Sequence, residues 1–181
     1  MRFPFFEFVT AVRIATALIF CTAAFGKMRS WSTFEGVVAN YRLLPDALNR
    51  VVAWALPPAE LLLACALIVG APLAENAAGA LLCVFAAAMA INLKRGRTQI
   101  DCGCFDASLR QTLSWPLVVR NVLLALLLIV ASRSRDTGDA ADAVTLTMGV
   151  LAGVAFFMVV QCANIVAALP AKSPRARRRT T

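Results

Sequence analysis

The chain has 181 residues, of which 60% are hydrophobic and 15% are charged, and its mean hydropathy is +0.75. An ordinary soluble domain is about half apolar and about a quarter charged, so a soluble chain of this composition would expose large apolar patches to water. The composition therefore predicts an integral membrane protein, and the length accommodates about five spanning helices of roughly 20 residues each.

The net charge of +8 does not indicate nucleic-acid binding. The basic residues flank apolar runs or gather in the segment 172–181, which is how positive charge orients a protein in a membrane. The sequence contains no His, which excludes His-based catalysis and His-ligated haem or zinc. We therefore predict the lipid bilayer as a partner, and neither a nucleic-acid partner nor a cofactor.

Apolar runs separated by polar connectors predict an all-α integral membrane helical bundle. The first run covers residues 8–26 and contains Arg13, and the polar, aromatic-rich segment 27–50 after it suits the headgroup region. The remaining predicted spans are residues 51–69, 73–93, 115–131 and 143–169. We expect a transmembrane domain over 1–170 and a basic disordered tail over 171–181.

Five spans place the two ends of the chain on opposite sides of the membrane, with an unequal distribution of basic residues. One side carries 13 of them: Lys27, Arg29, Arg42, Arg50, Lys94, Arg95, Arg97, Arg110, Lys172, Arg175, Arg177, Arg178 and Arg179. The other side carries 3, namely Arg2, Arg133 and Arg135. Because cytoplasmic loops are enriched in Lys and Arg, this distribution predicts that the 94–114 loop faces the cytoplasm.

That loop contains the most distinctive motif of the chain, Cys102-Gly103-Cys104. Two thiols one residue apart close a small, strained disulfide ring, and the glycine between them relaxes the backbone constraint. A strained disulfide is easily reduced and exchanges readily with other thiols. The motif therefore predicts a redox pair, and with it a possible thiol-disulfide oxidoreductase.

The surroundings of the pair leave two other interpretations open. Arg95 and Arg97 favour a thiolate, whereas the acidic Asp101 and Asp106 oppose it. The pair is then either an exchange disulfide or a chance pair of small loop residues. A metal site is a further alternative, but two Cys without His or a second Cys pair leave a tetrahedral ion underligated.

The other four cysteines lie inside apolar runs, where Cys usually packs as a small hydrophobe. At 1.5 Å per helical residue, Cys21 lies about 8 Å and Cys162 about 12 Å from the membrane side of the Cys pair. Cys83 falls near mid-membrane, and Cys65 near the opposite side. Cys21 and Cys162 are therefore the candidates for a thiol relay with the pair.

Glu60 lies near the middle of the second predicted span, where a carboxylate needs a cation or a proton. Lys27, at the end of the first span, and Arg120, in the fourth, are its candidate partners. Two interpretations follow: Glu60 accepts a proton during thiol chemistry, or it forms a buried ion pair that locks helices together. Four amide side chains are expected to hydrogen-bond between helices: Asn92, Asn121, Gln161 and Asn164.

The motifs together resemble the methylamine utilisation protein MauE family, which is related to the DoxX-like membrane proteins. The resemblance covers roughly residues 5–130, and Asp101-Cys102-Gly103-Cys104-Phe105 is its most specific part. It also rests on the following segments: Phe25-Gly26-Lys27, Tyr41-Arg42-Leu43-Leu44-Pro45, Leu56-Pro57 followed by Glu60, and Asn92. The resemblance implies a DoxX-like core. Many relatives have Gly where this chain has Asp106, which affects the local turn after the Cys pair.

The resemblance implies that this protein lies in the bacterial inner membrane and has a role in making methylamine dehydrogenase. Members of the family act with the thioredoxin-like MauD in maturation, processing or transport of the beta subunit of that enzyme. That subunit is periplasmic, rich in disulfides, and carries tryptophan tryptophylquinone. The resemblance thus assigns the disulfide exchange to Cys102 and Cys104.

Two other functions fit parts of the sequence. A non-catalytic assembly chaperone would bind its client through helix surfaces and leave the Cys pair incidental. A quinone-coupled thiol oxidoreductase is disfavoured because the chain lacks the second pair, Cys-x-x-Cys, that such relays commonly use. The client is periplasmic, whereas the Cys pair is predicted to face the cytoplasm. Three explanations are open: the topology is inverted, electrons pass across the membrane, or the protein does not exchange disulfides with the client directly.

Overall fold

The computed structural model describes residues 3–100, 112–133 and 143–168, and these ranges form helices without strands. The helices are α1 (Phe3–Arg29), α2 (Trp31–Tyr41), α3 (Asp46–Val69), α4 (Ala74–Lys94), α5 (Trp115–Arg133) and α6 (Ala143–Ala168). All except α2 are long and apolar enough to cross a membrane. The prediction of an all-α membrane bundle with five spanning helices is confirmed, whereas the predicted disordered tail lies outside the described residues.

The two ends of α3 follow from local backbone chemistry. Pro45 precedes the helix in an extended conformation, and Asp46 places a negative charge in the first turn, where the helix dipole favours it. Gly70 ends the helix with a φ of 69°, a left-handed conformation that glycine adopts without steric cost, and its N–H bonds to the carbonyl of Ala66. These signals set the break before α4.

The segment predicted to lie at the headgroups contains an additional helix, α2. It ends at Tyr41 and is capped by Arg42, whose backbone is left-handed (φ 47°) and donates a hydrogen bond to the carbonyl of Ala39 at 3.1 Å. Its residue Phe34 is buried. The ring of Trp31, at the start of α2, lies against that of Trp54 on α3, with centroids 4.3 Å apart. Packing against α3 therefore holds a helix that is too short to span the membrane.

Contacts between helices establish the direction in which each one runs. Gly149 lies against Thr10 and Gly153 against Ile14, so α6 runs parallel to α1. Arg120 on α5 contacts Asn164 on α6 at opposite helix ends, so these two helices are antiparallel. Antiparallel pairs also form between α1 and α3 and between α4 and α5. The spans thus alternate in direction.

One end of the bundle is here called the cysteine face. It is formed by the C-terminal ends of α1, α4 and α6 and by the N-terminal ends of α3 and α5. The segment between α4 and α5 starts and ends there, and α2 lies there as well. The two helices that flank the Cys pair in the sequence therefore both reach this face.

The contact between α1 and α6 depends on two small residues, Gly149 and Gly153. A Cβ on Gly153 would lie 2.7 Å from the carbonyl oxygen of Ala11, and a Cβ on Gly149 would lie 2.8 Å from the Cβ of Thr10. Both distances are shorter than atoms in contact allow. Gly149 and Gly153 thus form a Gly-x-x-x-Gly motif, which lets two membrane helices approach closely.

Gly153→Ala is expected to destabilise the bundle by about 1–3 kcal/mol, because the new methyl group collides with backbone. Gly36→Ala is the matched control, since a Cβ at this helical position meets nothing within 4 Å and alanine favours helix by up to about 1 kcal/mol. Thermal unfolding of the purified protein in detergent measures both. Equal melting temperatures for the two variants would contradict close α1–α6 packing.

Candidate functional site

The interior of the bundle contains polar groups, while large apolar side chains face outward. Glu60, Glu75, Asn92 and Asn121 are buried among the helices, and Leu62, Val69 and Val144 are exposed on the outside. This distribution suits a protein surrounded by lipid, where intramembrane polar groups face protein and mark functional positions. The candidate site is built from these buried groups.

Lys27 and Glu60 form a buried ion pair between α1 and α3. Glu60 is 0% exposed and Lys27 is 5% exposed, and the Lys27 ammonium donates a hydrogen bond to the Glu60 carboxylate. The ammonium also lies 5.4 Å from the Phe34 ring centroid and 5.3 Å from that of Phe85, within cation–π range. Of the two cations predicted for Glu60, Lys27 is therefore the one that pairs with it.

Arg120, the other predicted cation, joins α5 to α6. Its guanidinium donates to Asn164 Oδ1 at 3.0 Å and to Asn121 Oδ1 at 3.2 Å, and the Asn164 amide donates to Gln161 at 3.3 Å. Asn164 thus bonds between helices, as predicted for these amides. The bonds described for the other three amides do not join two helices: Asn121 accepts from Arg120 and Gln161 from Asn164 within one helix, and Asn92 donates to Ala88 of its own helix.

A central cavity connects the two polar clusters. Its volume is about 20 Å³, enough for about one water molecule, and its polar lining comes from Thr22, Lys27, Glu60, Arg120, Asn121 and Gln161. With apolar side chains of α4, all five spanning helices contribute to its walls. The Nδ2 of Asn121 is buried and has no hydrogen-bond acceptor within the described ranges. The cavity therefore has the room and the polar groups for one bound water molecule.

An apolar pocket of about 250 Å³, here called the α2–α4 pocket, lies on the other side of Lys27. Helices α2, α3 and α4 enclose it in the half of the bundle nearest the cysteine face. Lys27 and Tyr41 are the polar residues among the side chains described around it. Lys27 and Phe85 line both this pocket and the central cavity, so they separate the two.

A second ionic contact, which the sequence reasoning did not identify, lies toward the opposite end of the bundle. Arg13 donates a hydrogen bond to the carbonyl of Leu67 at 3.0 Å and lies 3.4 Å from the carboxylate of Glu75. Arg13 interrupts an apolar run, which signals the need for a buried acceptor. Glu75 is in the first turn of α4, so this contact fixes the turn between α3 and α4 against α1.

Cys102 and Cys104 lie outside the described residues, but the chain on both sides of them is described. The backbone N–H of Leu113 donates to the carbonyl of Ile100 at 3.0 Å, which closes the base of the segment 101–112, here called the Cys segment. Ile100 and Leu113 belong to one apolar cluster with Met89. The base of the Cys segment is therefore anchored at the cysteine face.

Two arginines before the Cys segment bind backbone carbonyls at the end of α2. Arg97 donates to the carbonyl of Tyr41 at 3.5 Å, and Arg95 donates to that of Arg42 at 3.4 Å. Arg97 also reaches the side chain of Asn92 at 3.3 Å. These bonds hold the start of the loop against the α2–α4 pocket.

The four described cysteines are free thiols. Cys21 is partly buried and packs against the core, as expected for a small apolar residue. Cys65, Cys83 and Cys162 are instead exposed on the outer surface, so the expectation that they pack in the core is wrong for these three. The cause is that a Cys within an apolar run suits lipid as well as protein. A relay through Cys21 and Cys162 stays a prediction.

Comparison with known proteins gives a consistent result. The family model described as methylamine utilisation protein MauE matches residues 6–133. The chain is 45% identical to the methylamine utilization protein MauE of Paracoccus denitrificans, over 89% of this chain and 88% of that protein. It is also 42% identical to that of Paracoccus versutus, over 91% and 89% of the two chains.

A third relative, from Methylorubrum extorquens, carries the same name and is 41% identical over 88% of this chain and 87% of its own. No solved structure matches the chain. The family model covers most of the sequence, and the relatives align over nearly their full lengths. The chain therefore belongs to the family of the methylamine utilisation protein MauE.

Proposed function

We propose that this protein is a maturation factor of the methylamine utilisation system that exchanges disulfides through Cys102 and Cys104. The observation that carries the proposal is the anchoring of a Cys-Gly-Cys segment at one face of the membrane bundle through Ile100 and Leu113. Membership of the MauE family supports the biological setting. The proposed site of action is the bacterial inner membrane, since the relatives are bacterial proteins.

The proposed client is the beta subunit of methylamine dehydrogenase, and the proposed redox partner is the thioredoxin-like MauD. In the exchange, a thiolate of one protein attacks a disulfide sulfur of the other and forms a mixed disulfide. The second thiol of the pair then attacks that bond, so one protein gains a disulfide and the other two thiols. Gly103 between the two cysteines allows the tight ring that this step requires.

The charge distribution bears on the direction of transfer. The helices alternate in direction, so the basic residues at the C-terminal ends of α1 and α4 and those just after α2 and α4 share the cysteine face. The positive-inside rule predicts that this face points toward the cytoplasm. A periplasmic client would then receive oxidising equivalents across the membrane, whereas an inverted chain would act on the client directly.

Trapping of a mixed disulfide tests the proposal against a non-catalytic assembly chaperone. A Cys102→Ser or a Cys104→Ser variant removes the resolving thiol, so one of the two is expected to accumulate a covalent adduct with its partner in cells. The adduct is detected on a non-reducing gel and disappears on reduction. Mass spectrometry of the adduct identifies the partner and the side of the membrane on which it acts.

Cys83→Ser is the matched control for trapping, because this exposed thiol belongs to α4 and the variant leaves both cysteines of the pair intact. It is expected to give no adduct. An absence of adduct in both single variants of the pair would contradict disulfide exchange and favour the chaperone. Adducts that also form when both Cys102 and Cys104 are replaced would contradict it as well.

A further inference from the structure

We infer that the α2–α4 pocket binds a lipid-soluble quinone, which accepts the electrons of the Cys102–Cys104 pair. The binding site stands on the geometry of the pocket, whereas the electron transfer rests on the proposed thiol function. A quinone is a neutral ring with two carbonyl acceptors and an apolar tail. The argument concerns how the pocket fits each of these parts.

The pocket offers one charged hydrogen-bond donor, and its other described lining is apolar except for Tyr41. Lys27 is the cation among the described lining residues, and an ammonium has three N–H groups, of which Glu60 accepts a hydrogen bond from one. Because Glu60 neutralises Lys27, the pocket presents no net charge and does not favour an anionic headgroup. A neutral carbonyl oxygen can accept a hydrogen bond from the Lys27 ammonium without adding charge to the ion pair.

The walls suit a flat ring attached to an apolar tail. The rings of Phe34 and Phe85 flank the Lys27 ammonium, so a planar ligand that reaches it lies beside aromatic faces. Apart from Tyr41, the remaining lining consists of apolar, non-aromatic side chains such as Leu43, Val52 and Leu56. The volume of about 250 Å³ lies just below the range of drug-sized sites, which suits a ring with the first part of its tail.

The pocket adjoins the base of the Cys segment. Tyr41 and Met89 line the pocket and also pack in the cluster that contains Ile100. Two peptide links join Ile100 to Cys102 and four join it to Cys104, so covalent geometry limits these Cα atoms to about 7.6 and 15 Å from that of Ile100. The pair is therefore tethered by short links to a residue that packs beside the pocket wall, and the inferred transfer from the pair to the ring is direct, with no second Cys-x-x-Cys.

The step is balanced by two electrons and two protons. The two thiols lose their hydrogens and form one S–S bond, while the two quinone carbonyls gain two electrons and two protons and become hydroxyls. Lys27 is placed to donate a proton to one carbonyl and to regain it through Glu60 and the central cavity. Glu60 thereby acquires the proton-transfer role that its burial suggests, beside its role in the ion pair.

The experiment uses the full chain, purified and reconstituted into phospholipid nanodiscs that contain no quinone. A photoreactive azido-quinone with a short tail is the probe, and decylubiquinone and added phospholipid are the competitors. Labelled peptides are expected from α2 and α4, with labelling suppressed by decylubiquinone and unchanged by phospholipid. Labelling elsewhere, or equal suppression by phospholipid, would overturn the inference, because the pocket would then be an ordinary lipid site.

Two adjacent alanines on α4 provide a matched pair of variants. Ala88 lines the pocket, whereas Ala87 is exposed on the outside of the same helix. Ala88→Phe fills the pocket and is expected to weaken decylubiquinone binding roughly tenfold or more, equivalent to about 1.4 kcal/mol. Ala87→Phe is expected to bind like the unchanged chain. Val84→Phe, at the exposed rim of the pocket, replaces Ala88→Phe if that variant does not fold.

Equal binding by the pocket and control variants would overturn the inference. Cys102→Ser/Cys104→Ser is expected to bind decylubiquinone normally but to reduce none of it, as measured by the ultraviolet absorbance of the quinone. Full dehydrogenase maturation by this variant would contradict the proposed function and leave the binding site in place. Loss of maturation without any quinone binding would overturn the quinone site and leave disulfide exchange in place.

Discussion

Replacement of both Cys102 and Cys104 by Ser is expected to abolish formation of active methylamine dehydrogenase in cells that depend on this chain. A serine hydroxyl has nearly the size of a thiol but forms no disulfide, so the exchange stops without a change in packing. Each single variant is expected to fall to the same background, because one thiol attacks and the other resolves the mixed disulfide. Dehydrogenase activity and the amount of beta subunit in cell extracts measure the effect.

The other cysteines provide the controls for this prediction. Cys65→Ser and Cys83→Ser alter thiols on the outer surface of α3 and α4, and we expect both to keep full activity. Cys21→Ser and Cys162→Ser test the predicted relay, which full activity in both would exclude. Normal dehydrogenase formation by the Cys102→Ser/Cys104→Ser chain would contradict the exchange mechanism and leave family membership unaffected.

The spans were predictable from the sequence because a helix needs about 20 apolar residues to cross the hydrocarbon core of a bilayer. The predicted span 73–93 corresponds to α4 (Ala74–Lys94), and the predicted span 51–69 ends with α3 at Val69. Some helices are longer than the predicted spans. Helix α1 continues past residue 26 to Arg29, and α3 starts at Asp46, before residue 51. An apolar run marks the part of a helix within hydrocarbon, whereas hydrogen bonding continues the helix into the headgroup region.

Helix α2 was not predicted, because tertiary packing rather than a strong local signal holds it. The segment 27–50 reads as a polar interface rich in aromatics, and its helix depends on Phe34 and on the contact of Trp31 with Trp54. The α2–α4 pocket follows from the same packing. A pocket whose walls come from three separate helices has no signature in any one of them.

The polar site was predictable as a set of residues but not as a set of pairs. Burial of Glu60 required a cation, and Lys27 and Arg120 lie at compatible depths, so the sequence alone did not choose between them. The packing of α1 against α3 decided for Lys27, and the packing of α5 against α6 directed Arg120 to Asn164. The Cys pair itself falls outside the described residues, so its role stays a prediction.

Lys27→Met is expected to lower the free energy of unfolding by about 3–5 kcal/mol, because it leaves the Glu60 carboxylate inside the membrane bundle without its cation. Lys27→Met/Glu60→Leu removes both charges and is expected to recover most of that stability, since neither charge then needs compensation. Thermal unfolding of the purified variants in one detergent measures both changes. With the single variant Glu60→Leu measured as well, the nonadditive part of the double variant gives the coupling between the two residues.

The surface pair of Glu35 and Arg50 is the control for this double-mutant cycle. Its nitrogen and oxygen are 3.2 Å apart, and the Arg50 side chain is 76% exposed, so solvent screens the attraction and Arg50→Met should cost at most about 1 kcal/mol. A Lys27→Met/Glu60→Leu variant as unstable as Lys27→Met would contradict the ion pair. Glu60→Gln adds a separate test, because a glutamine amide forms hydrogen bonds but cannot accept and release a proton as a carboxylate does. A variant that keeps its stability but loses dehydrogenase maturation would assign Glu60 to proton transfer.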